Sequence, residues 1–302
     1  MFDGIDHLVL PAAEIDRLLG LYVDALGFTA IEVDDEPDPR LRDLWQLPAP
    51  PARSVLLGKP GSTGGWIRLV QVPGLPEPTP AGRPDRVGPY ALDFYLRRAP
   101  EAELRTEAAG WTFRTEAVSY SLPGTDIPVR ERMLEQPVSG LLHAFVQHRP
   151  RGTRCVIDGG IEDVSEVVAA VFLTERFEEA AQFAAKVLGG HQYFTGRFAG
   201  PEVEQMLGLD EGEGFRAALF RGPGSRNARL EFGEAISGGN VVPDPIPRVV
   251  ASCGVSDLNR LKTQLRSGEH GQLTHTIEIG QIPHIGLVSK YGATFDFYQR
   301  TS

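Results

Sequence analysis

The same order of strands and helices occurs four times along the 302-residue chain. In the first copy, a strand-like run at residues 5–10 leads into a helix with apolar residues at helical spacing, which Gly27 ends. The apolar positions of this helix are Ile15, Leu18, Leu19, Tyr22 and Leu26. Strand-like runs follow at residues 29–33, 54–58 and 66–72. A repeat of this extent determines the fold of the whole molecule.

The four copies, called modules one to four, are separated by segments rich in Pro and Gly. They occupy residues 5–74, 88–150, 162–236 and 247–300. The segment at residues 148–161 is the predicted domain boundary, so residues 1–150 hold an N-terminal pair of modules and residues 151–302 a C-terminal pair. Residues 35–53 are an insertion in module one. We favour a plain surface loop there, with a lid over a site as the alternative.

Charge and composition argue against several classes of function. The chain has 30 Lys and Arg against 40 Asp and Glu, and its net charge of −10 predicts no nucleic-acid partner. The longest apolar run, residues 167–173, is far shorter than the ~20 residues that cross a bilayer. The N-terminus is acidic and does not resemble a signal peptide. We therefore expect a cytoplasmic protein that does not associate with a membrane.

Cysteine and glycine motifs add two further expectations. Cys155 and Cys253 lack the spacing of a metal or redox site, so both are predicted to be packing residues. The sequence has neither a GxGxxG motif after a strand nor a GxSxG motif. We therefore expect no nucleotide cofactor and no serine hydrolase.

Short motifs in module one resemble those of a known superfamily. They are the run DHLVL at residues 6–10, the pair LY at 21–22 and the turn LGF at 26–28. With them the chain resembles the vicinal oxygen chelate superfamily, which includes glyoxalase I, methylmalonyl-CoA epimerase, extradiol dioxygenases, and bleomycin and fosfomycin resistance proteins. The resemblance covers nearly the whole chain. It implies an α+β fold of four βαβββ modules, paired into two curved mixed β-sheet half-barrels with helices outside.

The resemblance also implies one divalent metal, Fe(II) or Mn(II), held by residues on the first and last strands of paired modules. The first-strand positions are, in module order, His7, Ala91, Ala169 and Val250. The last-strand positions are Arg68, Ala144 (beside His143), Glu231 and Asp296. The ligand set is incomplete, so a site without metal is the alternative.

Two pairings of the modules remain open at this stage. If modules three and four share a cavity, it holds Glu231 and Asp296 without an imidazole, and no three-ligand metal site forms. If modules one and four share a cavity, His7 and Asp296 meet beside Arg68, and they are the candidate metal ligands. The remaining ligand would then come from an off-motif histidine, His284 or His275.

Catalytic roles follow for the second pairing. Arg68 would fix an anionic oxygen of the substrate, and His7 would exchange a proton near neutral pH. Asp296 would orient His7 or bind the metal. The candidate substrate-binding residues are Trp66, Glu231 and His143.

The leading hypothesis is an enzyme that acts on a small oxygenated metabolite, aromatic or polyketide-like. Its reaction would be ring cleavage, or a proton-transfer isomerisation or elimination. The alternative is a non-catalytic protein that sequesters a drug or pigment, as the bleomycin resistance proteins do, with Trp45, Trp66 and Trp111 as wall residues. A small molecule is the expected partner in both cases, and a homodimer is the expected assembly.

Overall fold

Two eight-stranded mixed β-sheets make up most of the molecule. The computed structural model describes residues 2–148, 164–223, 228–236 and 246–300. Within these ranges each module runs strand, helix and three strands, so the predicted α+β fold of four βαβββ modules is confirmed. None of the described helices has the length and hydropathy needed to cross a membrane.

The elements are numbered in chain order. Module one contains β1 (His7–Ala12), α1 (Asp16–Leu19), β2 (Thr29–Asp34), α2 (Leu41–Trp45), β3 (Arg53–Gly58) and β4 (Trp66–Gln71). Module two contains β5 (Gly88–Leu96), α3 (Ala99–Ala108), β6 (Val118–Ser121), β7 (Pro128–Gln136) and β8 (Leu141–His148). Module three contains β9 (Val164–Leu173), α4 (Phe177–Gln182), β10 (His191–Ala199), α5 (Pro201–Leu207), β11 (Gly214–Arg221) and β12 (Arg229–Ala235). Module four contains β13 (Val250–Val255), α6 (Leu258–Leu265), β14 (Gly271–Ile279), β15 (Ile282–Ser289) and β16 (Thr294–Gln299).

The sheets combine the modules as one with four and two with three. Sheet one has the order β14-β15-β16-β13-β1-β4-β3-β2, and sheet two the order β10-β11-β12-β9-β5-β8-β7-β6. Each sheet therefore takes one module from each half of the chain, whereas we expected residues 1–150 and 151–302 each to supply a pair. Apart from His148, the predicted boundary at residues 148–161 lies outside the described residues.

The first strands of the modules join each sheet at its centre, and a buried carboxylate reinforces the joint in sheet one. Strands β1 and β13 pair antiparallel, with His7 opposite Ser252. Just before β1, the carboxylate of Asp6 accepts hydrogen bonds from the backbone N–H of Gly254 at 2.6 Å and the hydroxyl of Tyr298 at 2.8 Å. It also pairs with the guanidinium of Arg300 at 2.6 Å. These contacts bind the N-terminal strand to module four.

Each sheet has one face in a shared core and one concave face. The core contains the apolar sides of the module helices, and the rings of Phe172 in sheet two and Phe295 in sheet one lie 6.4 Å apart in it. Because side chains alternate between the two faces of a strand, the residues that precede and follow a core residue along its strand lie on the concave face. We call the concave face of sheet one, with His7 and Asp296, cup one. The concave face of sheet two, with Glu231, is cup two.

Most of the predicted helices and strands occur within a few residues of their expected positions. The predicted helix at residues 177–188 is α4 followed by a π-helical turn, Phe183–Val187. The predicted strand at residues 113–120 is shorter, since only an isolated bridge at Phe113 precedes β6. The elements α2, β10 and α5 were not predicted.

Candidate functional site

Cup one brings three predicted site residues onto one face of sheet one. His7 lies on β1 two residues before Val9, which is opposite Arg68 on β4. Asp296 on β16 lies opposite Ser252 on β13, the residue that also faces His7. His7, Arg68 and Asp296 therefore share a face, as expected for the pairing of modules one and four.

His7 does not have the protonation behaviour that we expected. Burial and the positive charge of Arg68 lower the pKa of His7 to about 3, although the charge of Asp296 acts in the opposite direction. The imidazole is therefore neutral at pH 7, and the expected proton exchange near neutral pH is not supported. Its side chain makes no hydrogen bond to the parts of the chain that the structure describes.

Asp296 is bound on both of its oxygens. Its Oδ1 accepts a hydrogen bond from Nδ1 of His284 at 2.8 Å. Its Oδ2 accepts from Nε1 of Trp45 at 3.2 Å and from the hydroxyl of Ser252 at 3.4 Å. With only 1% of its surface exposed, Asp296 is a fully buried and well-partnered carboxyl. Because both oxygens already accept hydrogen bonds, Asp296 is less available to bind an incoming ligand.

Arg68 and Trp66 also have partners within sheet one. The guanidinium of Arg68 donates to Oε1 of Glu32 and to the hydroxyl of Ser54, both at 3.0 Å. The indole of Trp66 donates to the hydroxyl of Ser62 at 2.9 Å. Arg68 thus already pairs with a carboxylate of this chain.

Helix α2, in the insertion of module one, covers cup one. Its side chains Leu44 and Trp45 are 0% and 3% exposed and pack on the concave face. The carbonyl of Leu44 accepts a hydrogen bond from the hydroxyl of Thr274 at 3.0 Å. A Cβ at Gly286 would lie 2.4 Å from the same carbonyl, so glycine permits this close approach. The interpretation of this segment as a plain surface loop is wrong, because it folds into a cover over the predicted site.

Cup two contains a cavity of about 500 Å³. Its walls are largely aromatic and aliphatic. The Tyr and Phe wall residues are Tyr90, Tyr95, Tyr120, Tyr193, Phe194, Phe198 and Phe215. Val203, Met206 and Leu207 of helix α5 contribute an aliphatic wall. This volume is within the range that holds a small organic ligand.

Three carboxyls from three different strands face this cavity. They are Asp93 on β5, Glu131 on β7 and Glu231 on β12. Burial raises the pKa of Glu131 to about 7, against a smaller opposing effect of its hydrogen bond from the hydroxyl of Tyr120. Burial and the neighbouring carboxyls raise the pKa of Asp93 and of Glu231 well above their usual values. The cluster therefore retains its protons to a higher pH than exposed carboxyls do.

Arg229 is the cation that acts on this cluster. Its guanidinium donates to the hydroxyl of Tyr95 at 2.9 Å and lies 5.5 Å from the ring centres of Tyr95 and Tyr193. Its charge partly offsets the raised pKa of Asp93 and of Glu231. The charge of this guanidinium thus acts on two of the three carboxyls.

Solved structures with this architecture include two of nearly the same length. Glyoxalase I from Zea mays is 11% identical with a TM-score of 0.65, and the alignment covers 98% of this chain and 92% of that one. The chain has the glyoxalase I fold. A Bacillus subtilis protein described as a dioxygenase is 12% identical with a TM-score of 0.62, over 100% of this chain and 86% of that one. No protein-family model and no curated protein matches the sequence.

The residues at the implied metal positions do not fit a divalent metal. In cup one, two of the implied metal positions hold the guanidinium of Arg68 and the apolar side chain of Val250. At a third position, both oxygens of Asp296 accept hydrogen bonds from this chain. Among the described residues, no three His, Cys, Asp or Glu side chains form a group that could hold a metal ion. The expected pair of ligands, His7 and Asp296, therefore has no third member.

Two of the predicted site residues lie away from cup one. Glu231 lines cup two, in a different sheet from Asp296, so modules three and four do not share a cavity. His143 is buried in the shared core, where its Nδ1–H donates to the carbonyl of Leu142 and its Nε2 accepts from the hydroxyl of Tyr22, both at 2.8 Å. Its side chain contacts the core and not the cavity.

The remaining candidates are mostly structural. Trp111 is buried in the shared core with the guanidinium of Arg17 over its ring. Cys253 is a buried free thiol, as expected of a packing residue, while Cys155 lies outside the described residues.

Sequence reasoning missed most of the polar groups of cup two. Asp93, Glu131 and Arg229 lie in strands that the sequence suggests, yet none occupies a family motif position. The available signal was alternation, since Asp93 shares a strand face with Ala91, a motif position. Only the register, in which Asp93 lies between Ala144 and Ala169, brings this carboxyl to the centre of sheet two.

Proposed function

We propose that the protein binds a small oxygenated aromatic molecule in cup two and acts on it by proton transfer, with Glu131 exchanging the proton. One observation carries this proposal, namely a carboxyl with a pKa of about 7 facing a cavity of about 500 Å³ with largely apolar walls. Cup one is less suited to this role, because α2 packs over it and both oxygens of its carboxyl, Asp296, already accept hydrogen bonds.

The walls of cup two favour an aromatic ligand. Aromatic side chains stack on or meet the edges of ligand rings, and they lose little conformational entropy when they do so. Tyrosine hydroxyls and protonated carboxyls add hydrogen-bond donors, which suit oxygen atoms of the ligand. The walls therefore select for rings, and the polar groups select for oxygen substituents.

The protonation states of the cluster suit general acid–base catalysis. A group with a pKa near the working pH exchanges protons most effectively. In an isomerisation, ionised Glu131 would remove a proton from a carbon next to a carbonyl, and the electron pair would move onto the carbonyl oxygen. Protonated Asp93 or Glu231 would donate a hydrogen bond to that oxygen. Where the ligand has a β,γ double bond conjugated with this enolate, return of the proton from Glu131 to the γ carbon re-forms the carbonyl, moves the double bond next to it and regenerates the carboxylate.

Sequestering is the second candidate function. It is favoured by the depth and aromatic character of the cavity, together with the cover that helix α5 provides. A sequestering protein would bind the same class of molecule without turnover.

Solvent deuterium exchange separates the two candidates. The probe is the aromatic ketone 2-tetralone, and incorporation of deuterium next to its carbonyl is followed by NMR. We expect wild-type protein to accelerate incorporation and Glu131→Gln to reduce that acceleration by ~10² or more. The control Glu135→Gln removes an exposed carboxylate from the same strand and should exchange like wild type. Binding without exchange supports sequestering, and no binding to cup two contradicts both functions.

A further inference from the structure

We propose that the ligand of cup two is a cation, an arylalkylamine whose alkyl ammonium lies among the carboxyls of Asp93, Glu131 and Glu231. This inference rests on the proposed function, since it places the ligand in the same cavity. It adds the charge of the ligand, which the proposed function leaves open.

The first argument is the charge of the cavity. The three carboxyls line the cavity, whereas Arg229, whose charge acts on Asp93 and Glu231, bonds the hydroxyl of Tyr95 and contacts two aromatic rings. A second guanidinium, that of Arg221, lies over the ring of Tyr193. The other titratable groups that line the cavity are Tyr90, Tyr95, Tyr120, Tyr193, Asp126 and His148. An ammonium would supply the positive charge that an ionised cluster requires.

The second argument is the environment of Glu231. Its side chain faces the cavity, and only 7% of its surface is exposed. No hydrogen bond or ion pair to its carboxyl is formed by the described parts of the chain. A buried carboxyl without such a partner is costly, whereas a ligand with N–H donors would satisfy it. Glu131, by comparison, already accepts a hydrogen bond from Tyr120.

The third argument is the aromatic wall. Tyrosine and phenylalanine rings attract a cation placed over their faces. Two guanidiniums already contact rings of this wall in this way, that of Arg229 over Tyr95 and Tyr193 and that of Arg221 over Tyr193. A ring-bearing ammonium would therefore contact both the carboxyls and the aromatic faces.

Charge coupling gives the inference a measurable signature. Without a ligand, protons neutralise the raised-pKa carboxyls of the cluster. An ammonium stabilises their ionised forms, so its binding releases protons and strengthens as pH rises. Between pH 6 and 8 an alkyl ammonium itself stays charged. A neutral ligand of the same shape would show the opposite or no dependence.

Tyramine and 4-propylphenol form a suitable pair of probes, because they differ in an ammonium against a methyl group. The methyl groups of Met133 and Met206 line the cavity, and the chain has only three methionines, so ¹³C-methyl NMR reports binding at this site. We expect tyramine to bind at least tenfold more tightly than 4-propylphenol at pH 8. Calorimetry in buffers of different ionisation enthalpy should show proton release for tyramine.

A pair of variants on β12 tests whether Glu231 binds the ammonium. Glu231→Gln keeps the shape of the side chain and should lower the preference for tyramine about tenfold. Glu234→Gln, whose carboxylate pairs with Arg216 outside the cavity, should keep the wild-type preference.

The two proposals fail in different ways. If 4-propylphenol binds as tightly as tyramine, the inferred positive charge is wrong and the proposed function stands. If neither probe shifts the two methionine signals at millimolar concentration, the proposed function of cup two is contradicted, and the inference with it.

Discussion

Cup one and cup two share the same arrangement of strands and a covering helix, and they differ in the side chains that occupy the concave face. In each, a short helix between the second and third strands of one module packs over the concave face, α2 in module one and α5 in module three. Helix α2 places Trp45 inside cup one, where its indole reaches Asp296. Helix α5 presents Met206 and smaller aliphatic side chains, and a cavity of about 500 Å³ remains. In this protein, the side chains of the covering helix distinguish the packed cup from the one with a cavity.

The two cups also differ in whether their polar groups have hydrogen-bond partners. In cup one, Asp296 bonds His284 and Trp45, and Arg68 bonds Glu32. In cup two, Glu231 has no such partner among the described residues. A carboxyl that is already hydrogen-bonded on both oxygens stabilises the fold, whereas a carboxyl that lines a cavity without such a partner is available to a ligand.

The largest expected effect comes from removing the side chain that fills cup one. Trp45→Ala should lower the free energy of unfolding by about 3–5 kcal/mol, because it leaves a cavity and removes the shorter of the two hydrogen bonds to Oδ2 of Asp296. Urea denaturation measures the change. Trp45→Phe retains most of the ring and should lose less. A loss below about 1 kcal/mol for Trp45→Ala would show that cup one is not packed as described.

The next effect separates the cups by their response to pH. Glu131 in cup two has a folded-state pKa of about 7 against 4.5 for the free side chain. Its contribution to stability is therefore fully present below pH 4.5 and is lost as pH rises through about 7. This amounts to about 3 kcal/mol. Urea denaturation from pH 4.5 to 8 should show this fall, and Glu131→Gln should make the fall smaller, with the remainder due to Asp93 and Glu231. An equal slope in the variant would contradict the assignment.

The smallest effect comes from making cup two resemble cup one. Met206→Trp places a large side chain of the covering helix α5 inside the cavity. We expect the affinity for tyramine to fall at least tenfold, about 1.4 kcal/mol, with little change in the urea midpoint. The signal of Met133 still reports binding. Unchanged affinity would place the ligand elsewhere.

The repeat in the sequence was sufficient to predict the fold, because the glycines that end its helices mark the same boundaries in the structure. Gly27 and Gly189 both have positive φ, 72° and 77°, and end the helical segments where the pattern places them. Alternation also located the core strands. The pairing of the modules was not predictable, because it depends on contacts such as Asp6 with Arg300, which are 294 residues apart.

The candidate site was predictable only in part. The family motif placed His7, Arg68 and Asp296 on one face. It gave no sign that residues 41–45, a helix without a side-chain N-cap, would cover them. The carboxyls of cup two come from three strands. A single acidic residue in an apolar run does not indicate a site, because only the register of sheet two brings these residues together.

The central claim, that cup two is open to ligands and cup one is filled, is tested most directly by a crystal soaked in 4-bromophenol. The bromine atom gives an anomalous signal that locates the ring, whatever the natural ligand is. We predict a peak in cup two, between the carboxyl cluster and helix α5, and none beneath Trp45. A peak beneath Trp45 with cup two empty would contradict the account.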